Sequence, residues 1–278
     1  MALSGRALLH VPIHGCLANE PSPRRREAVL HRDRHCQNTQ VVFLDDCADG
    51  PYIDLWSVFA KKPMRRFREL RPEETNFENG IVPLAGGGNP LWEHAWDIHP
   101  CEDSPLVRTF ARRVLDHYGI QDHQPRREDQ QVVLTYIDRS KSRMLLNHTE
   151  LFDALQAQYP HVRVDFAGIS FAQQLEIIQH TDVLVGVHGA GMTHEIFLTP
   201  GSALVEILPP GLNYRGYRNI ADLVGLSYYS AHADTQGNDE QEDWHNEDVV
   251  VDREPFMEIM EVAIKTMYNK GNRNYDAA

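Results

Sequence analysis

The residues best suited to chemistry lie between Val183 and His194. An apolar run, VLVGV, leads into His188, Gly189, Ala190, Gly191, Met192 and Thr193. Glycine has no Cβ to hold a ligand away, and the first N–H groups of a helix lack intrahelical partners. A strand that ends in glycines and opens a helix therefore presents N–H donors, and a favourable dipole, to an anion. Thr193 can add a hydroxyl donor, and His188 stands at the strand end facing the crevice. The same residues also suit a tight strand-to-helix turn that needs small side chains only for packing, and the pattern leaves both readings open. It is neither the G-x-G-x-x-G dinucleotide fingerprint nor a P-loop, since no Gly-Lys-Ser/Thr follows.

A second group, Asp138-Arg139-Ser140-Lys141-Ser142-Arg143, follows the apolar run Val132 to Ile137. Its cations, Arg139, Lys141 and Arg143, suit a diphosphate, because a guanidinium grips phosphate oxygens through parallel hydrogen bonds. A solvated turn is the rival reading, and placement beside the glycine loop favours function. Glu206 is a carboxylate inside the apolar run Ala203 to Leu208 and needs partners there. Ribose hydroxyls and a buried salt bridge are both candidates. Asp45, Asp46 and Asp49 follow the run Val41 to Leu44. Adjacent acids can hold a divalent metal or act as a general base, although such a cluster more often forms a solvated turn. Asn147-His148-Thr149 has the glycosylation spacing, but at a helix entrance it fits local capping better.

The elements that must position these residues follow from periodicity. Residues 1–40, with Arg24, Arg25 and Arg26, show no sustained period and are expected to be an irregular leader. A strand is expected over Val41–Leu44, a helix near Ile53–Ala60 and a strand at Ile81–Leu84 before Gly86-Gly87-Gly88. Ser104 as cap, Pro105 in the first turn and Gly119 after the end predict a helix, with Leu106, Phe110, Val114 and His117 along one face and Val107 and Leu115 widening it. Residues 121–131 are polar and form the expected linker. Beyond it, apolar strands (Val132–Ile137, Val162–Phe166, Val183–Val187, Ala203–Leu208, Ser227–Ser230) alternate with helices (Thr149–Tyr159, Ser170–His180, Met192–Leu198, about Tyr214–Val224). Ser170 and Gln173 form a capping box. Short links between such elements imply a parallel sheet covered on both faces, a doubly wound α/β domain whose ligands sit beyond the carboxyl ends of the strands. Asp234–Asp248 reads as an acidic surface loop, and a last amphipathic helix begins near Asp252 or Arg253.

Bulk properties narrow the function classes. At 278 residues with 42% hydrophobic and 24% charged residues, the chain can bury a substantial core. A formal net charge of -13 argues against a nucleic-acid partner. No apolar run is long enough to span a bilayer, and neither a signal peptide nor a retention tail is recognisable. None of the four cysteines, Cys16, Cys36, Cys47 and Cys101, pairs at zinc spacing, so disulfides and free thiols both remain open.

The runs VVLTYIDRSKSRMLLNHTELFDAL and FAQQLEIIQHTDVLVGVHGAGMTHEIFLTPGSALVEILPP resemble the C-terminal domain of glycosyltransferase family 61, in particular its transferases acting on EGF-like domains. Upstream, VVFLDDCADGPYIDLWSVF and Cys101 to Ile120 resemble part of that family's N-terminal domain. The resemblance implies a double-Rossmann (GT-B-like) enzyme with a truncated N-terminal lobe over 41–120 and a complete doubly wound nucleotide-sugar domain over 132–270. It implies inverting transfer of N-acetylglucosamine from a UDP-sugar to Ser/Thr hydroxyls of EGF-like domains, in the endoplasmic reticulum lumen, with a divalent metal compatible but not required. By position, Arg139 and Arg143 would hold the diphosphate, Ser140 would bind the UDP-sugar, and His188, Gly189, Ala190, Gly191 and Thr193 would line the donor pocket. Glu206 would touch the ribose and Asp46 would be the base. The alternatives are O-mannose N-acetylglucosaminyl transfer, xylosyl transfer, an inactive nucleotide-binding remnant and, more distantly, a dehydrogenase.

Overall fold

The computed structural model describes residues 39–268 apart from 51, 61, 72, 74–90, 93–94, 99–101, 122–130, 157–158, 160, 165 and 235–247. The expected leader, the strand at Ile81–Leu84 with its glycines, and nearly all of the expected linker and acidic loop lie outside the described residues. The chain divides into two compact units, 2–93 and 94–278.

In the first unit, β1 (Val42–Phe43) pairs in parallel with β2 (Arg65–Arg66). A 3-10 turn at Ile53–Leu55 runs into the short helix α1 (Trp56–Phe59). The Phe43 ring meets Trp56 edge to face at 5.9 Å, and the Arg66 guanidinium lies over the Phe43 ring. Arg66 also donates to Asp49 Oδ1 at 2.7 Å and to the Asp45 carbonyl at 3.1 Å, so the acidic segment after β1 is tied to β2.

The second unit holds a five-stranded, all-parallel sheet in the order β4-β3-β5-β6-β7: His161–Val164, Leu134–Ile137, Val183–Val187, Ala203–Leu208 and Ser227–His232. The doubly wound arrangement expected from the alternating pattern is thus present. β3, β5 and β6 are buried at every position, as their near-continuous apolar runs require. Period-2 alternation assigns the two faces. Leu134, Tyr136, Val183, Val185, Val205 and Ile207 pack against α3 (His148–Gln156) and α6 (Arg253–Tyr268), with Phe152, Phe256 and Met260 at the centre. The other face carries Ile137, Gly186 and Glu206, with α2 (Pro105–His117), α4 (Phe171–Gln179), a 3-10 helix at Ala190–Phe197 and α5 (Gly216–Val224) on that side.

Local signals explain the helix ends. Ser104 Oγ accepts from Val107 N, Pro105 occupies the first turn, and Gly119 adopts φ 70° just beyond α2. The Ser170–Gln173 capping box forms in both directions. The buried stripe of α2 is Val107, Ala111, Val114 and Leu115; of the expected face, Val107, Val114 and Leu115 are buried, Leu106 and Phe110 are half-buried, and His117 is exposed. A line drawn through His117 would bury an ionisable ring, and the helix instead turns His117 to solvent and packs Ala111 inward. The short helix expected over Met192–Leu198 is a 3-10 helix that begins two residues earlier, at Ala190, and runs to Phe197.

Candidate functional site

β3 and β5 are sheet neighbours whose connections leave on opposite faces, β3 by α3 to β4 and β5 by the 3-10 helix to β6. Their carboxyl ends therefore flank the crevice of a topological switch point. The two loops singled out from the sequence, 138–143 and 188–191, are the ones that follow these strands.

Arg139 Nε donates to the Ser142 carbonyl at 2.8 Å, which folds the loop back on itself. Arg143 adopts φ 54°, a left-handed conformation uncommon for a long side chain. Both guanidiniums converge on the glycine loop. A Cβ on Gly189 would overlap the Arg139 guanidinium and lie 3.3 Å from Arg143 Nη2. Burial lowers the pKa of each arginine, and Arg139 lowers that of Arg143 further. Two like charges held together in a half-buried mouth are a preformed demand for an anion. Ser140 and Lys141 are exposed on the same loop.

The glycines divide between the two readings of this stretch. A Cβ on Gly186 would lie 2.7 Å from Met192 Sδ, and one on Gly191 would lie 3.0 Å from Ile137 Cγ2, so these positions are small because the turn packs on β3. Gly189 is small because cations approach it. Its carbonyl accepts from Tyr217 Oη at 2.6 Å and from Met192 N at 2.9 Å, which pins the turn. Ala190 is exposed at the tip, while the Thr193 hydroxyl is buried.

Behind this mouth lies a polar network. His188 and Glu206 are buried, at 6% and 0% exposure. His188 Nδ1 and Glu206 Oε1 are 2.6 Å apart, and Tyr228 Oη donates to Glu206 Oε2 at 2.6 Å. The His188 ring is flanked edge to face by Tyr214 at 5.0 Å and Tyr217 at 5.3 Å. Burial raises the phenol pKa values, that of Tyr214 to about 12, with Glu206 adding in the same direction for Tyr214, Tyr217 and Tyr228. Beside the network a cavity of ≈ 140 Å³ opens between β7 and the start of α5, lined by Tyr214, Arg215, Arg218, Tyr228, Ser230 and His232 among others.

Two further polar groups support the turn. His194 is buried, with Nδ1 2.9 Å from the Gly191 carbonyl and Nε2 2.7 Å from Gln174 Oε1, both of them acceptors, so the ring braces the turn against α4; burial lowers its pKa to about 4, with the Gly191 hydrogen bond opposing the shift. Glu195 is 0% exposed, and neither carboxyl oxygen has a hydrogen-bond partner. Burial holds its pKa well above the usual carboxylate range, with Glu206 and Asp222 adding to the rise.

Asp46 belongs to the other unit. Its side chain is 60% exposed and pairs with Arg68 Nη1 at 3.2 Å, while Asp45 Oδ1 accepts from Cys47 N in a local turn. Among the described residues no three His, Cys, Asp or Glu side chains gather into a metal-binding set, and no helix is long and apolar enough to cross a membrane.

Sequence reasoning reached the two loops and Glu206 but not Tyr214, Tyr217, Tyr228 or Glu195. Tyr217 and Tyr228 carry no motif; they meet the loop only because α5 and β7 fold against it. Glu195 did carry a signal, an acidic residue directly before the apolar run Ile196, Phe197 and Leu198.

The fold and crevice define a Rossmann-like α/β unit with a cationic mouth at its switch point, and residues 92–205 match the family model of Glycosyltransferase 61. The match contains both loops and ends one residue before Glu206, so the resemblance read from the sequence is borne out. Individual relatives agree. The chain is 31% identical over 188 residues to the EGF domain-specific O-linked N-acetylglucosamine transferase of Drosophila melanogaster, covering 65% of this chain and 35% of that protein. It is 35% identical over 183 residues to the Mus musculus protein of the same description, covering 64% and 34%. It is 31% identical over 211 residues to the protein O-linked-mannose beta-1,4-N-acetylglucosaminyltransferase 2 of Tetraodon nigroviridis, covering 69% and 35%. The aligned stretch thus spans about a third of the length of these curated relatives.

Proposed function

We propose that residues 132–270 form the nucleotide-sugar-binding domain of a double-Rossmann, inverting glycosyltransferase, that the chain from 41 to 120 contributes part of an N-terminal lobe, and that the donor is UDP-N-acetylglucosamine. The observation that carries this reading is the convergence of Arg139 and Arg143 on the Gly189 backbone at the switch-point crevice. The diphosphate would lie on these guanidiniums and on the N–H groups of the turn from Ala190, with Ser140 at the rim and His188, Gly191 and Thr193 lining the crevice. The nucleoside would extend toward the cavity beside Tyr228. The names of the relatives share N-acetylglucosamine transfer and differ in acceptor, which supports the donor more directly than the acceptor.

In the proposed reaction a Ser/Thr hydroxyl of an EGF-like domain attacks the anomeric carbon from the face opposite UDP. The new carbon–oxygen bond forms as the bond to the diphosphate breaks, the electron pair leaves on the diphosphate, and the hydroxyl proton passes to a base. Arg139 and Arg143 stabilise the developing charge. Asp46 is the proposed base, although its exposed pairing with Arg68 gives it no special preparation. An O-mannosyl acceptor is the second reading, carried by the relative whose match extends over 211 residues. Such acceptors are secreted or membrane glycoproteins, which accords with a lumenal site in the endoplasmic reticulum.

Calorimetric titration of UDP, UDP-N-acetylglucosamine and UDP-xylose, with and without manganese, followed by transfer assays on an EGF-like module and an O-mannosyl peptide, tests the proposal. Saturable UDP binding that is weakened in Arg139→Ala and in Arg143→Ala supports the site; absence of binding by all three nucleotides defeats it.

A further inference from the structure

The family resemblance implies that Glu206 touches the donor ribose, and the geometry argues otherwise. Glu206 is fully buried in the middle of the sheet, on β6 between β5 and β7. Each of its oxygens is engaged at 2.6 Å, one by His188 Nδ1 and the other by the Tyr228 hydroxyl. Tyr228 also lines the cavity, so a ligand seated there meets the phenol before it can meet the carboxylate. A ribose hydroxyl could reach Glu206 only by displacing one of these groups, leaving a buried polar atom without its partner.

We propose that Glu206 is a positioning residue: with Tyr228 as its second support, it holds His188 in the tautomer that carries hydrogen on Nδ1 and fixes the orientation of the ring at the donor crevice. The inference rests on the reading above only in placing the donor at His188; the tautomer itself is a property of the ligand-free chain. A carboxylate can only accept, so Nδ1 donates whether the ring is neutral or protonated. The flanking rings of Tyr214 and Tyr217 restrict the imidazole's tilt, and the carboxylate selects which edge faces inward. Glu206 thereby acts on the donor through His188, as the carboxylate behind a metal-ligating histidine acts through its ring.

The test has a ligand-free arm and a binding arm, both on the full chain. Long-range proton–nitrogen spectra of ¹⁵N-histidine-labelled protein should show His188 as the Nδ1–H tautomer. Glu206→Gln should shift it toward the Nε2–H form, because an amide NH₂ can donate to Nδ1, and Glu206→Asp should partly restore the original signature. In the binding arm, Glu206→Gln should weaken UDP and 2′-deoxy-UDP in parallel, by about tenfold each, leaving the ratio of their affinities at the wild-type value. The effect should vanish in a His188→Asn background. Tyr228→Phe, which keeps the ring and removes only the hydroxyl, gives the same pattern at smaller size and serves if Glu206 variants do not fold. A ratio that falls to one in Glu206→Gln establishes direct ribose contact and overturns the proposal, as does a His188 ring already in the Nε2–H form in the wild type. Failure of UDP to bind the wild type would instead overturn the donor-site reading, and the tautomer arm would still decide this one.

Discussion

Two fully buried glutamates of the sheet unit, eleven residues apart in sequence, live in opposite surroundings. On strand β6, Glu206 has a donor at each oxygen; on the 3-10 turn after the glycine loop, Glu195 has none at either. Strand geometry explains the first. Glu206 stands opposite Ser230 on β7, and Tyr228, two residues earlier on the same face, reaches it, while His188 enters from the end of β5. The turn that carries Glu195 has no such array, and its neighbours Met192, Ile196 and Phe197 are apolar and buried. Equal burial thus leaves one carboxyl with its hydrogen-bonding capacity met and the other without, and the difference lies in the donors that the tertiary structure delivers.

Removing the satisfied glutamate should have the largest effect. Glu206→Ala strips His188 and Tyr228 of their shared acceptor and should cost about 1–3 kcal/mol for each buried donor left unsatisfied. A chemical-denaturation midpoint close to that of the wild type would show that the network contributes little and erase the contrast with Glu195.

The cations at the mouth come next. Arg139→Ala should weaken UDP binding by about ten- to a hundredfold, as expected for one charged hydrogen bond of ~1.5–3 kcal/mol. Stability should be nearly unchanged, because the guanidinium satisfies no buried acid. If folding stability fell instead of affinity, the loop would be structural and the solvated-turn reading would return.

The unsatisfied glutamate predicts a pH dependence of opposite origin. Burial holds its folded pKa well above the ordinary carboxylate value of 4.5, so the native state holds a proton that the unfolded chain releases. Its contribution is fully present below the unfolded value and is lost as pH rises toward the folded one, at up to about 1.4 kcal/mol per pH unit. Glu195→Gln, and more so Glu195→Leu, should flatten the fall in stability above pH 5 and raise the thermal midpoint at pH 7.5. Equal pH profiles in variant and wild type would mean that Glu195 finds a donor in solution.

A surface control should give the smallest change. Ser104→Ala removes the cap of α2, far in sequence from either glutamate, and should cost about 1 kcal/mol with UDP affinity unaltered. A loss of affinity would show that α2 steers the crevice and that the contrast is not confined to the site.

The doubly wound unit was legible in the sequence because its determinants are local. Apolar runs of strand length, the Ser104–Pro105 and Ser170–Gln173 helix starts and Gly119 each act within a few residues, and the structure keeps all of them. The glycine and arginine loops were legible for the same reason, since both follow apolar strands that could only be central. The packing face of α2 was legible at Val107, Val114 and Leu115 but buries Ala111 rather than His117, because helical period alone does not say which neighbour the stripe will meet.

By itself the sequence determined the order of strands and helices, the cationic and glycine-rich ends of β3 and β5, and a kinship with Glycosyltransferase 61 over 92–205. Only the tertiary structure decided that these ends adjoin at a switch point, that Gly189 is small for two guanidiniums while Gly186 and Gly191 are small for packing, and that Glu206 faces His188 and Tyr228 rather than open solvent. Periodicity and capping are encoded between near neighbours along the chain. Partners 18, 22 and 28 residues apart, as in His188–Glu206, Glu206–Tyr228 and Gly189–Tyr217, meet only when the parallel sheet sets their register.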